Sequence, residues 1–172
     1  MPITAYDASI TQFVRALTSL KASLSKAEQQ VTERGMSVAE LLAARLAEPT
    51  PDMLNLASQV HWAAEGAKRA IERLTSIPIS STGDNATTFA ELHERIDSAI
   101  ALLKSLSVND LEAGMSREIE VVNRRGTLRL AGDRFLIEFA IPHFFFHITC
   151  AYAILRNRGI QLTMADFLGR FD

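Results

Sequence analysis

Residues 133–158 read DRFLIEFAIPHFFFHITCAYAILRNR, and the fold turns on what this stretch becomes. From Phe135 to Leu155 it is apolar on nearly every side and long enough to raise the question of a membrane span. It also contains Glu138, Pro142, His143 and His147, and polar groups of this kind are costly in hydrocarbon. Three further helical patterns in the chain are able to cover it, so the stretch predicts a central helix buried in protein. Such a helix starts near Asp133 and ends near Arg158, with Gly159 as its stop. Pro142 removes one backbone hydrogen bond inside it and predicts a kink.

The covering helices lie N-terminal to it. Tyr6, Ile10, Phe13, Leu17, Leu20 and Leu24 recur at spacings of four and three, giving one apolar seam that runs on to about Arg34, where Gly35 terminates it. Ser37-Val38-Ala39-Glu40 has the form of a capping box and opens a short helix ended by Pro49. Thr50, Pro51 and Asp52 suit the start of a second long helix. Its apolar face holds Met53, Leu56, Val60, Ile71 and Leu74 among Ala57, Ala63, Ala64, Ala67 and Ala70, small enough for a neighbouring helix to approach closely. Ser76 to Asn85, with Pro78 and Gly83, reads as a crossover loop. Thr88-Phe89-Ala90-Glu91 is a second capping box, ahead of a third seam at Phe89, Leu92, Ile96, Ile100, Leu103 and Leu106. The period then changes. Glu118 to Val122 and Thr127 to Leu130 are short β-type runs around Asn123-Arg124-Arg125-Gly126, a hairpin pattern. Thr163 to Phe171 predicts a last turn on the surface. Together these give an all-α fold: one domain over residues 1–172, an antiparallel four-helix bundle with a small β-hairpin before the last helix.

Composition narrows the function. Of 172 residues, 48% are hydrophobic and 22% charged, with a formal net charge of −2, as expected for a water-soluble globule with a sizeable core. No basic stripe is present to neutralise phosphates, so nucleic acid is not an expected partner. Nor is a membrane, since the apolar stretch carries Glu138, His143 and His147 and has helices to cover it. The single cysteine, Cys150, excludes an intramolecular disulfide. Without a basic, apolar and small-residue opening signal, cytoplasm is the expected location.

Three of the four histidines fall on apolar faces. His143 and His147 are four apart on the last helix and project from one side, in a stripe with Leu136, Ala140, Ala151 and Ile154. His61 lies in line with Ala57 and Ala64 on the second long helix, whereas His93 reads as an edge residue. Two imidazoles at i and i+4 can present nitrogens to one ion at ~2.0–2.1 Å, and a third from a facing helix completes a reactive, open site. Equally, each ring can simply hydrogen-bond a buried carbonyl.

A histidine on the second long helix, a hairpin, then HxxxH on the fourth resembles the layout of the DinB-like superfamily of metal-dependent enzymes. Tyr6-Asp7-Ala8-Ser9, Thr88-Phe89-Ala90-Glu91-Leu92 and the run from Phe146 to Arg156 resemble, more narrowly, a bacterial branch known as a domain of unknown function. The likeness extends over essentially the whole chain. It implies up-down-down-up connectivity, a homodimer, and a metal triad at His61, His143 and His147. A divalent ion (zinc, nickel or iron) is the cofactor expected with that triad. One departure is plain: better-studied members follow the last histidine with His, Arg, Gly and Gln, where this chain has Ile148, Thr149, Cys150 and Ala151.

Glu65, one turn beyond His61, is the candidate general base, with a solvated helix residue near Lys68 and Arg69 as its plainer reading. Cys150 is a candidate thiolate ligand or a small core residue. Phe144, Phe145 and Phe146 read as core and interface packing, Tyr152 as a hydroxyl in need of a partner, and Arg124 and Arg125 as a solvated turn. Two functions follow. One is a metal-dependent transferase, isomerase or hydrolase in which a three-histidine site activates a thiol or water. The other is a non-catalytic dimeric bundle that binds a small apolar ligand or a protein partner.

Overall fold

The computed structural model describes residues 3–47, 53–123 and 126–170. Four long helices carry the fold: α1 (Gln12–Arg34), α3 (Leu56–Thr75), α4 (Phe89–Lys104) and α7 (Ile141–Asn157). Short elements join them: α2 (Val38–Leu42), α5 (Val108–Glu112), the strands β1 (Glu118–Asn123) and β2 (Gly126–Ala131), α6 (Gly132–Phe135), and a final α8 (Met164–Leu168).

Local chemistry sets most of the ends. Gly35 closes α1 with φ 62°, a left-handed backbone that glycine adopts without a Cβ penalty. At the start of α4 both arms of the capping box form: Thr88 Oγ1 accepts from the Glu91 N–H at 3.2 Å and the Glu91 carboxylate accepts from the Thr88 N–H at 3.0 Å. Two expected ends are corrected. Ser37 caps α2 through its hydroxyl, without the reciprocal glutamate arm, and α2 stops at Leu42, well before Pro49. The start expected at Thr50, Pro51 and Asp52 lies outside the described residues, but α3 itself begins only at Leu56. There the Asn55 side chain accepts from the Ser58 N–H at 2.9 Å, and asparagine is among the strongest N-caps. Arg124 and Arg125 also lie outside the described residues; β1 and β2 pair antiparallel from Glu118–Ala131 to Asn123–Gly126.

Contacts between helices fix their directions. Lys21 pairs with Asp97 at 2.6 Å and Glu28 faces His93 at 3.9 Å, so α1 and α4 are antiparallel. Gln59 meets His147, and Gly66 lies against His143, so α3 and α7 are antiparallel. Phe13 packs on Phe144 and Arg34 donates to the Gly159 carbonyl at 2.8 Å, so α1 and α7 run the same way. The loop after α3 doubles back along that helix: Ile79 bonds Glu72, Ser80 bonds Lys68, and Ser81 and Thr82 bond Glu65. It therefore delivers α4 to the N-terminal half of α3, and those two helices are parallel. The connectivity is up-down-down-up, as the resemblance implies. A return loop long enough to retrace a helix permits parallel neighbours.

Residues 132–157 form one continuous helical stretch, long and apolar enough by length and composition to span a membrane. In the bundle it packs chiefly on α3 and also on α1, burying Phe135, Leu136, Phe144, Ile148, Ala151, Ile154 and Leu155 in the core. Ile137 and Phe146 remain exposed on it. At the expected kink stands a π-helical turn, Leu136–Ala140, which hands over to α7 with Pro142 in its first turn. Lacking an N–H, Pro142 removes one backbone hydrogen bond inside the continuous stretch, directly after the π-helical turn. The alanine-rich face of α3 is buried as expected, with Ala63, Ala64, Ala67 and Ala70 at 2% exposure or less.

Candidate functional site

Where α3 faces α7, three polar side chains interrupt the core. Gln59, His61 and His147 are all buried. The Gln59 amide donates from Nε2 to the Leu54 carbonyl at 3.4 Å, which turns its oxygen toward α7. That Oε1 lies 2.7 Å from His147 Nδ1, so the imidazole carries its proton on Nδ1 and keeps a lone pair on Nε2. His147 Nε2 points at His143 Nε2 across 3.3 Å. His143 stacks on Phe139 with ring centroids 5.6 Å apart, and the absence of a side chain at Gly66 admits its ring: a Cβ there would stand 3.1 Å from His143 Nδ1.

Burial, and then the neighbouring His143 and His61, push His147 from the ordinary 6.5 down to about 3. Burial first, then the Arg73 and Arg69 guanidinium groups, lower His143 as well. Both rings are therefore neutral near pH 7. Stability linkage follows with a definite sign. Between about pH 6.5 and pH 3 the unfolded chain binds a proton at His147 that the folded chain refuses, so stability is full above pH 6.5 and falls as the pH drops toward 3. In metal-free protein the melting temperature is expected to decline over that window, and His147→Gln should flatten the slope. An equal slope in the variant removes His147 as the cause.

His61 does not join the pair as its ring stands. Its Nδ1 is 3.1 Å from Arg95 Nη1 on α4, and Arg95 is held in turn by Asn85 Oδ1 at 2.7 Å. A guanidinium can only donate, so Nδ1 accepts and the neutral ring carries its proton on Nε2. Among the described residues no group of three or more His, Cys, Asp or Glu side chains is arranged to hold a metal ion. His61 can become a donor only if Arg95 withdraws.

Glu65 is neither solvated nor directed at the histidines, which corrects its plainer reading. Its Oε1 pairs with Lys68 Nζ at 2.6 Å and accepts from Thr82 Oγ1 at 3.2 Å, while Oε2 accepts from Ser81 Oγ at 2.8 Å. Lys68 also donates to the Ser80 carbonyl at 2.8 Å. Burial works to raise the Glu65 pKa. The bonds from Lys68 and Ser81, the Lys68 charge and the Thr82 N–H outweigh it and hold the carboxylate below its usual value. Both oxygens are thus spent on fastening the crossover loop.

The remaining candidates are structural. Cys150 is buried and burial pushes its thiol pKa up, which opposes a thiolate. Of the three phenylalanines only Phe144 is fully buried; Phe145 is half-buried and Phe146 exposed. Tyr152 packs its ring on Phe167 of α8. His93 is an edge residue as expected. Gln59, Gly66 and Arg95 escaped sequence reasoning. Gln59 had a readable signal, since it sits three after Leu56 and four before Ala63, in a row that is otherwise apolar. Arg95 had none.

Up-down-down-up connectivity, a hairpin ahead of the last helix and a histidine pair turned toward the second long helix define a DinB-like bundle. The chain belongs to the DUF1993 family, described as a domain of unknown function, whose match spans residues 5–168. A crystal structure of a DinB family member from Shewanella denitrificans is 36% identical, with a TM-score of 0.87 over 96% of this chain and 92% of that one. No curated protein matches the chain significantly.

Proposed function

We propose that this protein is a metal-dependent member of its family, with Nε2 of His143 and Nε2 of His147 as two ligands of a divalent ion. The observation that supports this is the 3.3 Å between those two nitrogens. Two imidazoles bound at ~2.1 Å in a tetrahedral site stand about 3.4 Å apart, so the pair fits without rearrangement. Gln59 plays the part that a ligand histidine needs from its second nitrogen: it fixes the tautomer and the ring orientation. Low pKa values keep both rings deprotonated at Nε2 or free to become so near neutral pH. His61, two residues after Gln59 on α3, is a third donor held back by Arg95. A divalent ion bound here supplies Lewis acidity, lowering the pKa of a thiol or water.

Thermal unfolding of chelator-treated protein tests this, with Zn²⁺ or Ni²⁺ added at increasing concentration. The melting temperature is expected to rise, by an amount that grows with metal concentration, because only the folded chain presents both nitrogens together. His147→Ala should abolish the rise, and His93→Ala, at the α1–α4 edge, should leave it intact. No rise in the parent protein, or a rise that survives His147→Ala, overturns the reading.

A further inference from the structure

Beside the histidine pair lies a cavity of about 150 Å³ between α3, β1 and the stretch from α6 into α7. A cavity of roughly this size in another protein accommodates a benzene ring, so the scale is that of one ring or a short branched chain. Its wall is apolar at Trp62, Val121, Phe135 and Phe139. Two permanent cations complete it. Arg69 and Arg73 sit one turn apart on α3 and both line the cavity with His143. The Arg69 guanidinium lies over the Trp62 ring, 5.1 Å from its centroid, and that of Arg73 lies 6.0 Å from the Phe135 centroid. Neither forms an ion pair with a carboxylate among the described residues. The polar contact of Arg73 is a long one, 3.5 Å to the Arg69 carbonyl. Burial first, then the charge of Arg69, lowers the Arg73 pKa, and only Glu72 acts against them.

Two half-buried guanidinium groups one turn apart on apolar walls, with no carboxylate paired to either among the described residues, repel each other, and a bound anion relieves that repulsion. Arginine is also the side chain whose planar donors match a carboxylate. We infer that the cavity is a binding site for a small organic monocarboxylate with an apolar body, its carboxylate on Arg69 and Arg73 and its hydrocarbon part against Trp62, Phe135 and Phe139. The site stands beyond the metal reading: neither arginine is a metal donor, and the anion binds with or without an ion at the histidines.

Trp62 is the single tryptophan of the chain and lines the cavity, so its fluorescence reports on occupancy. Metal-free protein is titrated with cyclohexanecarboxylate, with its neutral isostere cyclohexanecarboxamide, and with acetate. The acid is expected to give a saturable change at low millimolar concentration, and the amide and acetate to bind at least about tenfold more weakly, roughly 1.4 kcal/mol each. Arg73→Met and Arg69→Met, checked for folding by circular dichroism, should each weaken the acid by a similar factor. The amide comparison needs no variant and stands even if one of them fails to fold. No saturable change with the acid overturns the proposal. So does equal binding of acid and amide, or of acid and acetate, since the first removes the role of charge and the second that of the apolar wall.

Discussion

Lys68→Met is expected to destabilise the fold by about 3–5 kcal/mol, because it leaves the Glu65 carboxylate buried without its counter-charge. The pair is well shielded, with side-chain exposures of 6% for Lys68 and 3% for Glu65. For a chain of this size such a loss lowers the melting temperature by on the order of 10 °C. The effect should reach the crossover loop, because the lysine also holds the Ser80 carbonyl and the glutamate holds Ser81 and Thr82. Limited proteolysis should therefore cut residues 76–88 faster in the variant. Glu65→Leu combined with Lys68→Met removes both charges and should recover part of the loss, as replacement of a buried pair by apolar groups often does. Urea denaturation read by circular dichroism measures all three chains. A loss below about 1 kcal/mol for Lys68→Met would place the pair with exposed ion pairs of little consequence.

Gly114→Ala is expected to be nearly as damaging for a different reason. A Cβ at position 114 would stand 1.9 Å from the Leu74 carbonyl oxygen and 2.8 Å from its carbon. These are backbone atoms at the end of α3, and no rotamer change relieves the overlap. Gly132 makes the same demand, with a Cβ 2.0 Å from the Gly114 oxygen. The end of α3, the turn after α5 and the start of α6 thus stack backbone on backbone, and the Asp133 N–H bonds the Met115 carbonyl at 2.9 Å in the same joint. Overpacking of this kind costs about 1–3 kcal/mol or more. Gly83→Ala is the control: its Cβ would meet nothing nearer than Asn85 Oδ1 at 3.6 Å, so that variant should melt with the parent. Equal melting temperatures for Gly114→Ala and Gly83→Ala would show that the joint yields.

What the sequence by itself determined is whatever depends on spacing within one element. The four apolar seams, the stop at Gly35 and the box at Thr88 and Glu91 were readable because a 3.6-residue period and a three-residue capping distance are local. For the same reason His143 and His147, four apart, had to share a face. Tertiary structure alone decided what meets across elements. Whether the crossover loop leads to an antiparallel or a parallel neighbour depends on bonds from Ser80, Ser81 and Thr82 back to α3. The same bonds turn Glu65 from a free carboxylate into a fastening. Which nitrogen His61 offers is set by Arg95 of another helix, 34 positions away. Arg69 and Arg73 become the cationic wall of a cavity only where β1 and α6 close over them. Such pairings rest on side chains far apart in the chain, and no local period records them.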